Sequence, residues 1–440
     1  MLKNRFFLVA LHLIFGVVLT ISILSKLISL SVLMYAIYDI ISSKNENNQS
    51  FLWASYFVSA EVLLRMTGGA LSWELVKYIV VLLLTIGLLI EKRLKGVPIV
   101  FLLYIFLLLI GVVFTEIPVS ESLRKAIVFN LSGPITLGVS AIYFYKRPID
   151  FTRFKEIIFV SLLPILSMLT LLYFKTPSLK EITFGTQANF AASGGFGPNQ
   201  VATALGYGIF LIAVLLLLKE KISGNVFFDI FLLFYLIFRG LLTFSRGGII
   251  TGFVAFISMS LLYLLHIGKI KNLIKYIGIV IISLVSIWIY STNLTGGVLQ
   301  NRYLGQNSNG EQKEDMSSGR VDIFEKQLES FIENPIFGIG VGSGKFMRQE
   351  KYSGHVTAAS HNEIGRLIEE HGLIGILAII LLIGAFINNF ITQPLYFKGF
   401  VLSFAALWFL TINHSAMRIA FPGFIYGLSL INIYKEEDLI

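Results

Sequence analysis

Long apolar runs dominate the chain, and short polar breaks separate them. Candidate spans fall near 6–25, 27–41, 51–66, 73–90, 97–114, 126–145, 154–174, 198–218, 226–243, 247–266, 273–291, 372–391, 396–412 and 418–434. A helix rises about 1.5 Å per residue, so about twenty apolar residues cross a hydrocarbon core of about 30 Å. The pattern predicts an all-α, polytopic integral membrane helical bundle with 12–14 spans, the range reflecting Lys26, which divides the first apolar stretch and leaves a short second piece. Membrane β-barrels alternate apolar and polar residues over about ten positions, and these runs do not. The first segment lacks a small-residue cleavage site and leads straight into more membrane, so it reads as a span rather than a removable signal peptide.

Composition narrows the class further. Apolar residues make up 55 % of the chain and charged residues 14 %, against about 25 % charged in an average soluble domain. Mean hydropathy is +0.79. A soluble globular enzyme, a disordered chain and a coiled coil are excluded. There are no cysteines, so disulfides, thiolate nucleophiles, Fe–S clusters and Cys-based zinc sites are excluded as well. The net charge of +9 lacks the long basic run that nucleic acid binding needs, and it suits cytoplasmic loops facing anionic lipid. Lys and Arg gather in alternate loops, with Arg5, Lys44, Arg93, Lys146, Lys155 and Lys221 on one side. That bias predicts cytoplasmic termini and an external segment 292–371. The chain then divides into N-terminal transmembrane helices (1–291), a periplasmic loop containing short helices (292–371) and C-terminal transmembrane helices (372–440).

Within the loop, 301–319 is polar and expected to be mobile. A helix follows from Arg320 to Asn334, with an apolar stripe at Val321, Phe324, Leu328 and Phe331, and Pro335 stops it. The run Gly338-Ile339-Gly340-Val341-Gly342-Ser343-Gly344-Lys345 fails the phosphate-loop pattern, since Ile339 stands where the first glycine belongs and Phe346 where Ser or Thr should follow. Two readings fit it: a turn re-entering the membrane surface, or an anion nest of backbone N–H groups. Ser360-His361-Asn362-Glu363 reads as a capping box opening a helix that runs to Gly372. Glu363 is then a structural cap or a catalytic acid. His361 sits at the helix start, where extra positive charge is disfavoured, so it is an ordinary surface residue or a neutral general base. His355 reads as a surface residue and His371 as structural. No His-Glu-x-x-His or Gly-x-Ser-x-Gly motif is present, so no metal site is expected and a serine hydrolase is unsupported.

Arg246 lies in Thr243-Phe244-Ser245-Arg246-Gly247-Gly248, between two apolar spans. It is an interfacial anchor or part of an anion site. Arg65, Lys77, Arg124, Lys125, Arg239 and Arg418 fall at the same outer boundary, against the positive-inside trend. Glu61 and Glu74 stand at helical spacing from Arg65 and Lys77, which makes those two bases structural. Arg320 opens the loop helix, the wrong end for a cation on dipole grounds. Such outer-leaflet cations suit a membrane-embedded anion such as a diphosphate.

Taken together, Ser245-Arg246-Gly247-Gly248, Gly319-Arg320 with its amphipathic helix, Asn334-Pro335-Ile336-Phe337-Gly338-Ile339-Gly340, and His361-Asn362 with Gly372 and Gly375 resemble the O-antigen ligase and polymerase superfamily of bacterial envelope glycan enzymes. The specific part covers about 245–376. The resemblance implies a metal-independent, cofactor-free glycosyltransferase in the bacterial inner membrane, working on its periplasmic face. Its donor would be a polyprenyl-diphosphate-linked glycan, usually undecaprenyl, and its acceptor another glycan or a lipid-anchored one such as the lipopolysaccharide core. His361 would be the catalytic base, with Arg246 and Arg320 on the diphosphate. Arg239, Lys345 and Asn362 are further candidate substrate-binding residues. The rival class is a transporter or flippase for a lipid-linked or anionic sugar. It would favour midplane sites in repeated halves, and no internal repeat is visible.

Overall fold

The computed structural model describes residues 4–179, 181–266, 284–313, 315, 317 and 319–435. It is an all-α polytopic membrane protein. Among the described residues, seven helices are long and apolar enough to cross a membrane: Ser22–Ser42, Leu123–Phe144, Phe151–Lys175, Pro198–Leu217, Arg246–His266, Glu363–Thr392 and Leu395–His414. Shorter apolar helices cover Arg5–Val18, Leu75–Ile90 and Ile99–Val113. Gln49–Thr67 and Val226–Leu242 complete the apolar set. Of the span expected at 273–291, residues 273–283 lie outside the described residues and 284–291 are helical.

Three expectations need correction. The chain breaks at 19–21, so the first helix is the shorter of the N-terminal pair, with 14 residues against 21. The last expected span, 418–434, is a buried eight-residue helix, Phe421–Leu428, followed by a strand, Asn432–Tyr434. Eight residues rise only about 12 Å, so the flanking backbone is non-helical. It is satisfied from within the protein, as membrane depth demands: Asn389 donates to the carbonyls of Ser429 and Ile431. The polar stretch after 300 is also built. It holds the helix Val298–Tyr303, a bridge between Gln306 and Gln312, and a bond from Lys313 Nζ to the Thr186 carbonyl at 2.9 Å.

Two ends of the bundle are distinct. At one, Arg5 and Lys155 pair with Glu220 at 3.0 and 2.7 Å, Arg147 pairs with Glu91 at 2.7 Å, and Pro148–Asp150 runs parallel to Asn432–Tyr434. The other end collects 68–74, 114–122, 243–246, the loop segment and 415–420. The start of the N-terminal helix, the 146–155 turn and the C-terminal strand therefore share one end. Phosphatase fusions after Asn307 should be active in the periplasm, and fusions after Lys146 inactive. The reverse pattern would turn the molecule over.

Close backbone approach fixes the helices that carry the first arginine. A Cβ at Gly248 would lie 2.3 Å from the Ala202 backbone, and one at Gly252 2.2 Å from the Gly206 carbonyl oxygen. Helices Pro198–Leu217 and Arg246–His266 thus touch backbone to backbone, the small-residue packing that membrane helices use in place of a hydrophobic drive.

Candidate functional site

His361 lies one residue before the N-cap of helix Glu363–Thr392. The cap is Asn362, whose side chain accepts from the N–H groups of Ile364 and Gly365 at 2.9 and 3.2 Å. The expected capping box does not form. Ser360 Oγ instead accepts from Asn362 N–H at 3.1 Å, and buried Glu363 is taken by Arg366. A desolvated carboxylate needs a cation more than a cap needs a second acceptor. The helix does break at Gly372, at φ 60° and ψ −138°. His361 is pinned through its carbonyl, which accepts from Ala416 N–H at 3.0 Å. Its Nδ1 is buried without a hydrogen-bond partner. Burial first, then the charges of Arg418 and Arg320 and the neighbouring His414, lower its pKa to about 3.

Arg320 and Arg418 act on this ring, and Arg246 and Arg302 adjoin Arg320 from two further segments. Arg246 opens its helix after Phe244, which is held at φ 55°, and its Nη1 donates to the Arg302 carbonyl at 3.3 Å. Gly247 leaves room for the His414 ring, which a Cβ there would approach to 2.6 Å. Arg302 donates to the carbonyls of Phe244 and Thr186 at 3.4 and 3.1 Å. Arg320 follows Gly319, held at φ 77°, and its N–H donates to Ser317 Oγ at 3.1 Å. Arg418 donates to the carbonyls of Ala359 and Ser360 at 3.1 and 3.2 Å. All three of Arg302, Arg320 and Arg418 are pushed below the usual guanidinium range, by burial first and then by one another or Arg246. Burial, Arg302 and Arg246 lower Lys313 likewise. Like charges held together by backbone carbonyls make a receptor for an anion.

The other sequence candidates are placed differently. Asn362 is engaged as the cap. Arg239 is buried and donates to the carbonyls of Leu172 and Ala192 at 3.1 and 3.2 Å and to the Thr176 hydroxyl, an anchor for the 172–192 segment. Lys345 is exposed on the wall of a neighbouring cavity. The glycine run is a turn, not an anion nest, because its N–H groups serve the protein. Ile339 and Gly340 donate to the Glu369 and Glu370 carbonyls, each at 3.1 Å, and Val341 to the Gly111 carbonyl at 3.1 Å. On helix Arg320–Glu333 the expected stripe is also displaced. Ile323, Gln327 and Ser330 are buried, while Val321 and Leu328 are 53 % and 37 % exposed. Polar Gln327 faces inward because it donates to Glu369 at 2.9 Å. Sequence reasoning missed His414 as a neighbour of His361 and Arg302 and Lys313 as neighbours of Arg246. Arg302 and Lys313 sit in a stretch without periodicity, and His414 ends an apolar helix. Among the described residues, no three His, Asp or Glu converge as a metal site.

A buried ionic brace holds the strap that carries Arg418. The local pairs expected from spacing form: Glu61 with Arg65 and Glu74 with Lys77, each at 2.6 Å. Arg65 also donates to the Arg418 carbonyl at 3.1 Å, and Glu61 accepts from Ala420 N–H at 2.6 Å.

The fold and site define a membrane-embedded helical protein that presents a cation cluster and a histidine at one membrane boundary. Residues 231–380 match the family model described as O-Antigen ligase. The match contains Arg246, Arg302, Arg320 and His361, and it supports the resemblance to the O-antigen ligase and polymerase superfamily. At family level it supports glycan transfer of the O-antigen ligase type. No curated protein matches the chain.

Breaking a buried pair by removing one partner costs about 3–5 kcal/mol. Glu61→Ala should therefore lower the thermal midpoint of the detergent-purified protein and weaken activity together. An unchanged midpoint would mean that the brace carries no load.

Proposed function

We propose that the protein transfers a glycan from a polyprenyl-diphosphate donor to an acceptor hydroxyl, on the periplasmic face of the bacterial cytoplasmic membrane. The observation that carries this reading is a cluster of Arg246, Arg302 and Arg320 that continues through Arg320 and Arg418 to the buried imidazole of His361. Arg246 and Arg320 grip the diphosphate, with Arg302 and Arg418 adding charge. His361 takes the acceptor hydroxyl proton while that oxygen attacks the anomeric carbon. The carbon–oxygen bond to phosphate breaks, and the diphosphate leaves with the electron pair. One in-line displacement inverts the anomeric centre. Fixed cations stabilise the leaving charge without a metal ion. We assign the acceptor as another lipid-linked glycan, as in a polymerase, because the surroundings of His361 are polar rather than shaped for acyl chains.

The electrostatics couple the two halves of the reaction. A base is most effective with a pKa near the working pH, and His361 lies well below it. A bound diphosphate offsets the repulsion from Arg418 and Arg320, so donor binding raises the pKa of the base that uses it.

Transfer from a defined polyprenyl-diphosphate glycan in nanodiscs tests the assignment. His361→Ala should cost about 10²–10⁴-fold in rate with the gel-filtration profile unchanged. Arg246→Ala and Arg320→Ala should each cripple transfer, and the Lys variants should recover only part, since lysine lacks the planar fork that holds two phosphate oxygens. EDTA should have no effect. Full activity in His361→Ala, or strict dependence on added divalent metal, would overturn this mechanism.

A further inference from the structure

Beside His361, on the side of helix Leu123–Phe144, lies a cavity of about 360 Å³. That is within the range of about 300–1,000 Å³ typical of small-molecule sites. Its walls include Ser360 and Arg418, which flank His361, and Ala416, whose N–H holds the His361 carbonyl. Its floor is charged and buried: Glu363, Glu369 and Glu370 are matched by Arg348 and Arg366. The mouth is open, at Lys125, Lys345 and Phe129, the last 45 % exposed. Gly344 is required by this floor, since a Cβ there would lie 2.5 Å from the Glu369 carboxylate.

Its chemistry differs from that of the cation cluster across Arg418. Here Glu121, Glu363, Glu369 and Glu370 offset most of the charge of Lys125, Lys345, Arg348, Arg366 and Arg418, so a diphosphate gains less than in the cation cluster. A neutral sugar needs no such surplus of charge. Its hydroxyls both donate and accept, so they can bridge carboxylates and guanidiniums that are already paired. Its apolar face can rest on the exposed ring of Phe129. We propose that this cavity binds the terminal sugar residue of the acceptor glycan and delivers its hydroxyl to His361, while the donor diphosphate occupies the cation cluster on the other side. The site rests on the transferase reading above and divides it in two: a mixed-charge pocket for the neutral acceptor and a cationic pocket for the donor.

Two exposed residues that line the cavity give variants that keep the fold, Phe129→Ala and Glu121→Ala. The donor is the lipid-linked repeat unit extracted from the source cells, and the acceptor probe is the free oligosaccharide released from it by mild acid. With donor and acceptor varied independently in nanodiscs, each variant should raise the acceptor KM about tenfold, equivalent to about 1.4 kcal/mol. The donor KM should stay within about twofold of wild type. Saturation-transfer NMR should show weakened binding of the free oligosaccharide in the same variants. A raised donor KM, or an unchanged acceptor KM with unchanged oligosaccharide binding, would overturn the acceptor site while leaving the transferase assignment standing. No transfer by the wild-type protein would remove the transferase reading. The site would then fall as an acceptor site, whatever the NMR showed.

Discussion

Four guanidiniums gather at one end of a membrane bundle, two of them beside a buried imidazole, and the rest of the site is organised to keep them there. Their mutual repulsion is countered by main-chain carbonyls. Arg302 reaches Phe244 and Thr186, Arg418 reaches Ala359 and Ser360, and Arg246 reaches Arg302. Carbonyl dipoles steady a cation without neutralising it. The backbone must therefore come close from several directions. That explains Gly247 against the His414 ring and Gly248 against Ala202, and the left-handed residues Phe244 and Gly319 just before Arg246 and Arg320.

The carboxylates follow the opposite logic. Glu61, Glu74, Glu363, Glu369 and Glu370 are buried, and each has a basic partner: Arg65, Lys77, Arg366, Arg348 and Arg366. A buried pair gains little net stability over apolar packing, but losing one partner is costly. Such pairs suit rigid positioning. The Glu61–Arg65 pair clamps the 418–420 strap from below, and Arg348–Glu369 fixes helix Gly344–Lys351 against the start of Glu363–Thr392. Charge is thus sorted in space, with paired carboxylates in the frame and guanidiniums gathered at the site.

Features that depend on local spacing were legible in the chain. Apolar runs marked the helices, i,i+4 and i,i+3 spacing marked Glu61–Arg65 and Glu74–Lys77, and the Ser245–Gly248 and Gly319–Arg320 junctions marked two of the four arginines. Features set by tertiary competition were not. Glu363 left its capping role because Arg366 offered a stronger partner in a dry setting. Gln327 displaced the apolar stripe on its helix because Glu369 needed a donor. The C-terminal strap has the composition of a span, but Glu61 and Asn389, distant in sequence, supply the hydrogen bonds that let it run non-helically. Arg302, Lys313 and His414 carry no periodic or motif signal, and only folding brings the first two beside Arg246 and the third beside His361.

We propose that burial and the neighbouring cations together hold down the proton affinity of His361 and that the donor's diphosphate raises it again. The direct measurement is the pH dependence of transfer with the donor varied at saturating acceptor. Here kcat/KM reports the enzyme before donor binding and kcat the donor complex. His361 must be neutral to act, so activity is lost as pH falls through its pKa. From its position near 3 in the donor-free site, the pKa should rise on binding. The acid limb of kcat should then lie at least about one pH unit above that of kcat/KM, a difference of about 1.4 kcal/mol. Coincident limbs, or a kcat limb at lower pH, would contradict the account.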